Sequence, residues 1–277
     1  MSSKNSVSAI LSALLIPGLA LLSSCGGSAD DEQFFSFQSY TLTTVAKGAD
    51  TDSLRLHLKD FNGLWNVSSS GIMPVKVGSH EITALTDSLA AMSCVNFDAG
   101  TPAIVLPREL QALPKDSAAS DSLAAGSSLM VRTTLDLLTP VAAVFRVYTY
   151  SYPEGAAHGV YSNRYLNFDV AGGSIISLAT LFNPGYERVL QPMIVERLKE
   201  SHSTLLVEED EIEIPPVFRI TTDGIEFIYG IYAIAPYSEG EPTVSFNAYE
   251  LTDLLPPPGQ ARRTPKTPPP TWGVFTT

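Results

Sequence analysis

Cysteine is scarce in this chain, with Cys25 and Cys94 the only two thiols among 277 residues. Cys25 stands at the end of a leader-like segment and is expected to be modified, which leaves Cys94 alone and excludes an internal disulfide. The fold must therefore be held by a hydrophobic core. Cys94 follows an apolar helical pattern, and this favours a buried, inert thiol over a nucleophile.

Basic residues are also few. Seventeen Lys and Arg face 29 Asp and Glu, giving a formal net charge of −12 at pH 7. A chain this acidic is repelled by a phosphate backbone, so nucleic acid is not expected as a partner. The same excess of acidic residues suits a basic protein partner through electrostatic steering.

The residues and motifs of common enzymes are sparse. The four histidines (His57, His80, His158 and His202) lie far apart and lack metal-ligand spacing. The chain has no Gly-x-Ser-x-Gly elbow, no Ser-x-x-Lys and no phosphate-binding loop. We therefore expect no metal, no cofactor and no catalytic residues, although distant side chains can still converge in a fold. The acidic run from Glu208 to Glu213 is interpreted as a solvated loop, because it lacks the glycine-turned spacing of a calcium loop.

No apolar run is long enough to span a bilayer as a helix. The longest, Ala9 to Leu22, is interrupted by Pro17-Gly18 and is shorter than the roughly 20 residues required. It ends in Leu22-Ser23-Ser24-Cys25, which resembles a bacterial lipobox. That resemblance implies a signal peptide over 1–24, lipidation of Cys25 and membrane attachment through the lipid. The alternative is an ordinary secretory signal with an incidental cysteine.

An acidic tether is predicted over 25–32, with the sequence CGGSADDE. It is similar to the surface-export signals of Bacteroidota lipoproteins. This similarity implies a cell-envelope location, at the outer membrane, facing either the periplasm or the cell surface.

Alternating apolar residues predict an α+β fold. The longest strand signal is Val141 to Tyr152, followed by a small-residue loop and a return strand from Val160 to Val170. Other strands are predicted at 33–47, 53–58, 129–138 and 243–246, with a hairpin turned at Asp223-Gly224. Helices are predicted at 80–93 with Ser79 as N-cap, at 178–182 capped by Ser177, from Tyr186 onward with Pro192 as a kink or first-turn residue, and at 248–255. Segment 61–77 is predicted as a loop because it contains Ser68-Ser69-Ser70-Gly71 and Met73-Pro74.

Several ordered pieces of the C-terminal half resemble one family. They are Ala157-His158-Gly159, Tyr165-Leu-Asn167-Phe-Asp169, Ile176-Ser-Leu178-x-x-Leu181-Phe182, Asp223-Gly224-Ile225-x-Phe227-x-Tyr229, Tyr232-Ala-Ile-Ala-Pro236-Tyr237 with Gly240, and Glu250-Leu251-x-x-Leu254-Leu255. Together they are similar to the RsiV-like extracytoplasmic domain (the DUF 3298 type), with a weaker resemblance of the N-terminal part to its usual companion domain. The resemblance implies helices packed on one face of an antiparallel sheet. It also makes lysozyme the specific candidate ligand.

The expected organisation is two intimately joined subdomains. The companion subdomain covers 33–127 and the RsiV-like domain covers 128–255, followed by a Pro-rich tail over 256–277 that is predicted to be disordered. The loop 115–128 carries Asp-Ser-apolar triplets that resemble Bacteroidota O-glycosylation sites. The cytoplasmic segment and transmembrane helix of the anti-sigma proteins are not expected here, nor is the histidine motif of related deacetylases.

Candidate ligand-binding residues come from the long hairpin: His158, Tyr148, Tyr150, Tyr152, Tyr161 and Tyr165. Tyrosine combines apolar area with a polar tip and is frequent at binding surfaces. A core position with the hydroxyl at the rim is the favoured alternative for the tyrosines. For His158 the favoured alternative is a hydrogen bond to a backbone carbonyl. The leading hypothesis is a non-catalytic binding module for a protein or glycan, ahead of an envelope polysaccharide hydrolase and a structural envelope protein.

Overall fold

The computed structural model describes residues 35–48, 63–97, 102–113, 126–201 and 204–256. Cys25, His57, His202, most of the 115–128 loop and nearly all of the C-terminal tail lie outside these ranges, so what was predicted for them remains a prediction. Within the described ranges, no helix has the length and apolar character needed to cross a membrane.

A seven-stranded sheet forms the larger part of the fold, in the order β5-β1-β2-β6-β7-β8-β9. Its strands are β1 (Phe35–Gly48), β2 (Leu64–Val77), β5 (Leu110–Ala112), β6 (Ser127–Leu138), β7 (Ala142–Tyr152), β8 (Val160–Asp169) and β9 (Ser174–Ile176). Between β2 and β5 lie helix α1 (Thr83–Ser93) and a two-residue pair, β3 (Val95–Asn96) and β4 (Ala103–Ile104). The hairpin β7–β8 and the turn to β9 match the antiparallel strands predicted from alternation.

The second layer follows in the chain. It contains helices α2 (Leu178–Leu181) and α3 (Glu187–Ser201) and a three-stranded antiparallel sheet of β10 (Val217–Ile220), β11 (Gly224–Ile228) and β12 (Thr243–Asn247). Short 3-10 turns occupy Glu209–Glu211, Tyr237–Glu239 and Ala248–Leu254. The α+β class is thus confirmed.

Strand β2 corrects the prediction of a loop over 61–77. Its serine run pairs with β1 on one side, and residues 65–71 pair with β6 on the other, in the one parallel pairing of the described sheets. Gly71 has a φ of +146°, and a Cβ added there would lie 2.2 Å from the carbonyl oxygen of Thr133. Ser69 is buried and its hydroxyl donates to the carbonyl of Ser93 at 2.7 Å. The small polar residues therefore permit close approach of neighbouring segments rather than mark a turn.

Helix α1 starts later than predicted. Its N-cap is Ile82, without a side-chain cap hydrogen bond, and not Ser79. Two residues before this cap, His80 packs on Gly173, and its Nε2 lies 2.6 Å from the carbonyl oxygen of Ala171. We attribute the later start to this contact, because the turn between β8 and β9 holds the chain at His80 before the helix begins.

The helices, expected on one face, lie on both faces of the large sheet. Phe145 packs with Leu85 and Leu89 of α1 in one core, whereas the adjacent Val144 packs with α3 and the small sheet in the other. Successive residues of a strand point to opposite faces, so β7 contributes to both cores. Pro192 lies inside α3 rather than in its first turn, while Ser177 caps α2 as predicted. The predicted terminal helix is a 3-10 segment.

Asn167 of β8 joins the two sheets. Its side chain is 2% exposed. The amide Nδ2 donates to the carbonyl of Phe218 at 2.9 Å, and Oδ1 accepts from the backbone N–H of Ile220 at 2.9 Å. One amide side chain thereby satisfies a donor and an acceptor on β10, as a neighbouring strand would.

Candidate functional site

The second layer covers only part of the large sheet, and tyrosines occupy the adjoining part of the same face. On β7, Arg146, Tyr148 and Tyr150 alternate with buried Val147 and Thr149. The register places Tyr150 opposite Tyr161, Tyr148 opposite Asn163 and Arg146 opposite Tyr165. We call this surface of β7 and β8 the tyrosine face; its side chains are Arg146, Tyr148, Tyr150, Tyr152, Tyr161, Asn163 and Tyr165.

These tyrosines lie between the two predicted roles, a binding surface and a core position with the hydroxyl at the rim. All five predicted tyrosines are half-buried, and the fully buried residues of β7 beyond Val144 belong to the opposite face, where Phe145 and Val147 pack on α1. The rings of Tyr148 and Tyr161 stack at 6.2 Å with an interplanar angle of 26°. Both side chains are half-buried, so each keeps part of its surface exposed.

His158 joins the same surface from the β7–β8 loop. Its ring is exposed and stacks on Tyr237 at 4.0 Å. Its Nδ1 lies 3.1 Å from the carbonyl oxygen of Gly159, which also accepts a 2.9 Å bond from the Tyr237 hydroxyl. The favoured hydrogen bond to a backbone carbonyl is thus present. A Cβ on Gly159 would fall 2.3 Å from the ring of Tyr150, so the glycine lets the loop lie directly on the tyrosine.

Two predicted residues lie apart from this cluster. Tyr165 packs against the core that Val144 shares with α3 and the small sheet, and its ring lies 5.4 Å from the guanidinium of Arg219. Tyr152 ends β7 and is paired with Ser128 of β6. The structure therefore brings together Tyr148, Tyr150, Tyr161 and His158, and it places Tyr152 and Tyr165 at the two ends of the face.

The segment between β11 and β12 supplies residues that were not predicted as site residues. Tyr232 is 51% exposed, has a φ of +65°, and its ring lies 5.6 Å from that of Tyr237. A bulky side chain at positive φ is costly, and such strained positions cluster at functional sites. The sequence contained both tyrosines within the family-like motif, but only the fold shows that this segment lies against β8.

Glu241 fastens that segment to β8. Its carboxylate accepts from the backbone N–H of Asn163 at 2.8 Å and from the Asn163 Nδ2 at 2.6 Å. Burial raises the pKa of Glu241, although these hydrogen bonds and the nearby Arg146 act in the opposite direction. The contact satisfies a backbone donor on a part of β8 that has no neighbouring strand beyond β7.

The phenols of Tyr148, Tyr161 and Tyr165 remain neutral donors at physiological pH. Desolvation raises the pKa of Tyr148, Tyr161 and Tyr165 above their ordinary value. A neutral hydroxyl both donates and accepts. The face therefore offers a set of adaptable hydrogen-bonding tips on rigid rings, an arrangement suited to binding rather than to proton transfer.

Neither a metal centre nor an activated thiol is evident in the described part of the chain. No three His, Cys, Asp or Glu side chains of that part are grouped so that they would hold a metal ion. Cys94 is buried, and desolvation raises the pKa of its thiol. A raised pKa lowers the thiolate fraction and makes the thiol less reactive.

Comparison with known proteins gives a family match and a shared fold. Residues 179–248 match the family described as Protein of unknown function (DUF3298). A DUF3298 family member from Bacteroides fragilis is 19% identical, with a TM-score of 0.55 over 81% of this chain and 94% of its own. A DUF3298 family protein from Pseudomonas aeruginosa is 17% identical, with a TM-score of 0.52 over 82% of this chain and 98% of its own. No curated protein matches the chain. The chain thus carries a DUF3298 match over residues 179–248, and its fold is that of solved DUF3298 proteins.

Proposed function

We propose that this protein is an envelope-anchored lipoprotein that acts as a non-catalytic binding module for a protein or glycan ligand outside the cytoplasm. The observation that carries the proposal is the tyrosine face with its adjoining loops. Tyr148 and Tyr161 form one stacked pair, and His158 stacks on Tyr237, which also contacts Tyr232. His158 and Tyr232 are exposed, and the other three rings are half-buried. Rigid aromatic side chains lose little conformational entropy on binding and are common anchors of interfaces.

The location rests on the lipobox-like Leu22-Ser23-Ser24-Cys25. A thioether-linked lipid with a further acyl chain supplies the two hydrophobic anchors that stable attachment requires. Mass spectrometry of the native protein tests this part directly. We expect a mature N-terminus at Cys25 that carries fatty acid, and an unmodified chain with its leader retained would refute the anchor.

Lysozyme is the specific protein candidate, because the resemblance to the RsiV-like domain suggests it and the net charge of −12 suits a basic partner. Isothermal titration calorimetry at low salt measures the interaction. Tyr237→Ser and Tyr148→Ser should weaken it about tenfold or more if the aromatic groups are anchors. Tyr249→Ser, at an exposed position on the C-terminal 3-10 turn, is the matched control and should bind as the natural chain does. No binding of lysozyme to the natural chain would reject this ligand.

A glycan ligand is tested in the same format with envelope polysaccharide fragments. Loss of affinity in Tyr148→Ser but not in Tyr249→Ser places the glycan on the tyrosine face. Turnover of the fragments by the natural chain would instead support the hydrolase alternative, which requires two carboxylates converging on one bond.

A further inference from the structure

Strand β1 forms an open edge of the seven-stranded sheet. Strand β5 pairs with it only at Ala46–Gly48, and within the described ranges no other segment pairs with the same side of β1. The segment Phe37–Val45, which we call the β1 edge, lies between a bulge after Ser36 and the start of the β5 pairing. Every second residue of an edge strand directs its N–H and C=O outward. The β1 edge is therefore a row of backbone donors and acceptors with which another strand can pair.

The β1 edge lacks the residues that usually protect such an edge. Its sequence, FQSYTLTTV, contains no proline and no charged residue, in a chain whose net charge is −12. It consists mainly of aromatic and β-branched residues, which favour the strand conformation. The side chains of Ser39, Thr41 and Thr43 are exposed. The sequence of this edge is thus compatible with a further strand beside it.

The opposite edge of the same sheet is covered. Strand β9 pairs with the end of β8. Further along β8, the carboxylate of Glu241 accepts from the backbone N–H of Asn163, and the Tyr237 hydroxyl donates to the carbonyl of Gly159 just before the strand. The described part of the large sheet therefore has one long open edge, at β1.

We propose that the β1 edge pairs with the β1 edge of a second copy of this chain, antiparallel and about a twofold axis at Tyr40. This axis sets Ser39 of each copy opposite Thr41 of the other, and hydroxyl pairs of this kind stabilise neighbouring strands. Because β5 begins to pair at Ala46, the two β5 strands fall outside the paired residues 37–43. A second copy is favoured as the occupant because the uncharged edge is where two acidic chains meet with the least repulsion. The pairing uses the open edge of both copies, so association stops at a dimer.

The dimer places both tyrosine faces on the same side. The strand registers align Thr41, Ser70, Arg132 and Tyr148 in one row across β1, β2, β6 and β7, so Thr41 lies on the same face of the sheet as Tyr148. A twofold axis perpendicular to the sheet leaves this face on one side in both copies. The dimer would therefore offer two copies of the tyrosine face to one ligand.

Sedimentation velocity of the full chain at several concentrations measures the association. We expect twice the mass of one chain at high concentration and dissociation on dilution. The double variant Ser39→Lys with Thr41→Lys sets positive charges directly opposite each other in the pair, which should weaken the dimer about tenfold or more. Thr243→Lys with Ser245→Lys, two exposed positions at the same spacing on the edge strand β12, is the matched control and should associate as the natural chain does. All variants keep Cys25, so association through a lipid would be equal among them.

A charge swap tests the register of the pair. Ser39→Glu with Thr41→Glu should be as weakly associated as the lysine variant, but an equimolar mixture of the two should form a mixed dimer, because each ammonium then faces a carboxylate. Failure of the mixture to dimerise overturns the antiparallel pairing about Tyr40. Circular dichroism of the variants shows that the fold is intact.

Three other results would overturn the proposal. They are a natural chain that is monomeric at every concentration, a lysine variant that associates as strongly as the natural chain, and association that continues beyond two chains. Ligand binding by a monomeric chain would leave the proposed function standing and remove only this inference.

Discussion

Asn167→Ala should be among the most damaging single substitutions in the second half of the chain. The side chain is 2% exposed and makes two 2.9 Å hydrogen bonds to β10. Its removal leaves the carbonyl of Phe218 and the N–H of Ile220 without these partners in a buried position. An unsatisfied buried group costs about 1–3 kcal/mol, so we expect a loss of about 2–5 kcal/mol in the free energy of unfolding. That is a large fraction of the stability of an ordinary domain.

Urea unfolding followed by far-ultraviolet circular dichroism measures this loss. Asn167→Asp is a second test of the same contact, because a carboxylate keeps the acceptor for the Ile220 N–H but has no donor for the Phe218 carbonyl. We expect it to destabilise at least as much as alanine, since the new charge is buried. Thr44→Ala, at an exposed position of β1, is the control and should change stability by less than about 0.5 kcal/mol. A loss below about 1 kcal/mol for Asn167→Ala would show that the two sheets are not held by this amide.

Three further outcomes follow from the structure. Gly71→Ala places a Cβ 2.2 Å from the Thr133 carbonyl oxygen at a φ of +146°. It should lower the melting temperature far more than the control Gly155→Ala, where nothing lies within 4 Å of the added Cβ. Similar losses in the two variants would contradict the tight β2–β6 contact. Burial raises the pKa of Glu241 above its usual 4.5, so the folded chain binds a proton at this carboxyl more tightly than the unfolded chain does. Proton binding at Glu241 therefore stabilises the fold at low pH, and this stabilisation is lost as the pH rises from about 4.5 through the folded pKa. Glu241→Gln should flatten that slope in pH-dependent urea unfolding, and an unchanged slope would reject the assignment. Tyr237→Phe removes the bond to the Gly159 carbonyl and should cost about 0.5–1.5 kcal/mol, measured in the same way.

The strands with strong alternation could be predicted from sequence, and the reason is local. In β7 every second residue from Phe145 to Ser151 is buried against one face, so the alternation with a period of two is visible in the sequence itself. The hairpin β10–β11 and the Ser177 cap are equally local signals. Strand β2 was not predicted, because its serines and Gly71 are also typical of a loop. These small residues allow the close approach of β6, which lies far away in the sequence.

The candidate site could also be predicted only in part from the sequence. Its tyrosines could be identified from their pattern on β7 and β8, but alternation alone does not say which face is covered. Which face of the sheet is covered depends on where α1 and the second layer pack. The tyrosines lie on the face that the second layer covers only in part. The roles of Tyr237 and Glu241 depend on contacts between segments distant in the chain, such as the bond of Glu241 to Asn163. No periodicity in the sequence encodes such contacts.

The parallel pairing of β2 with β6 has a consequence for the order in which the chain folds. Strands β1 and β2 follow each other in the chain and pair antiparallel, as do β7 and β8. The register Trp65 with Ser127 joins residues far apart in the chain, so closing that loop carries an entropic cost before any contact is made. Topologies rich in such distant pairings fold slowly and expose unpaired strands in the meantime. We therefore expect the β1–β2 and β7–β8 pairings to form more readily than the pairing of β2 with β6.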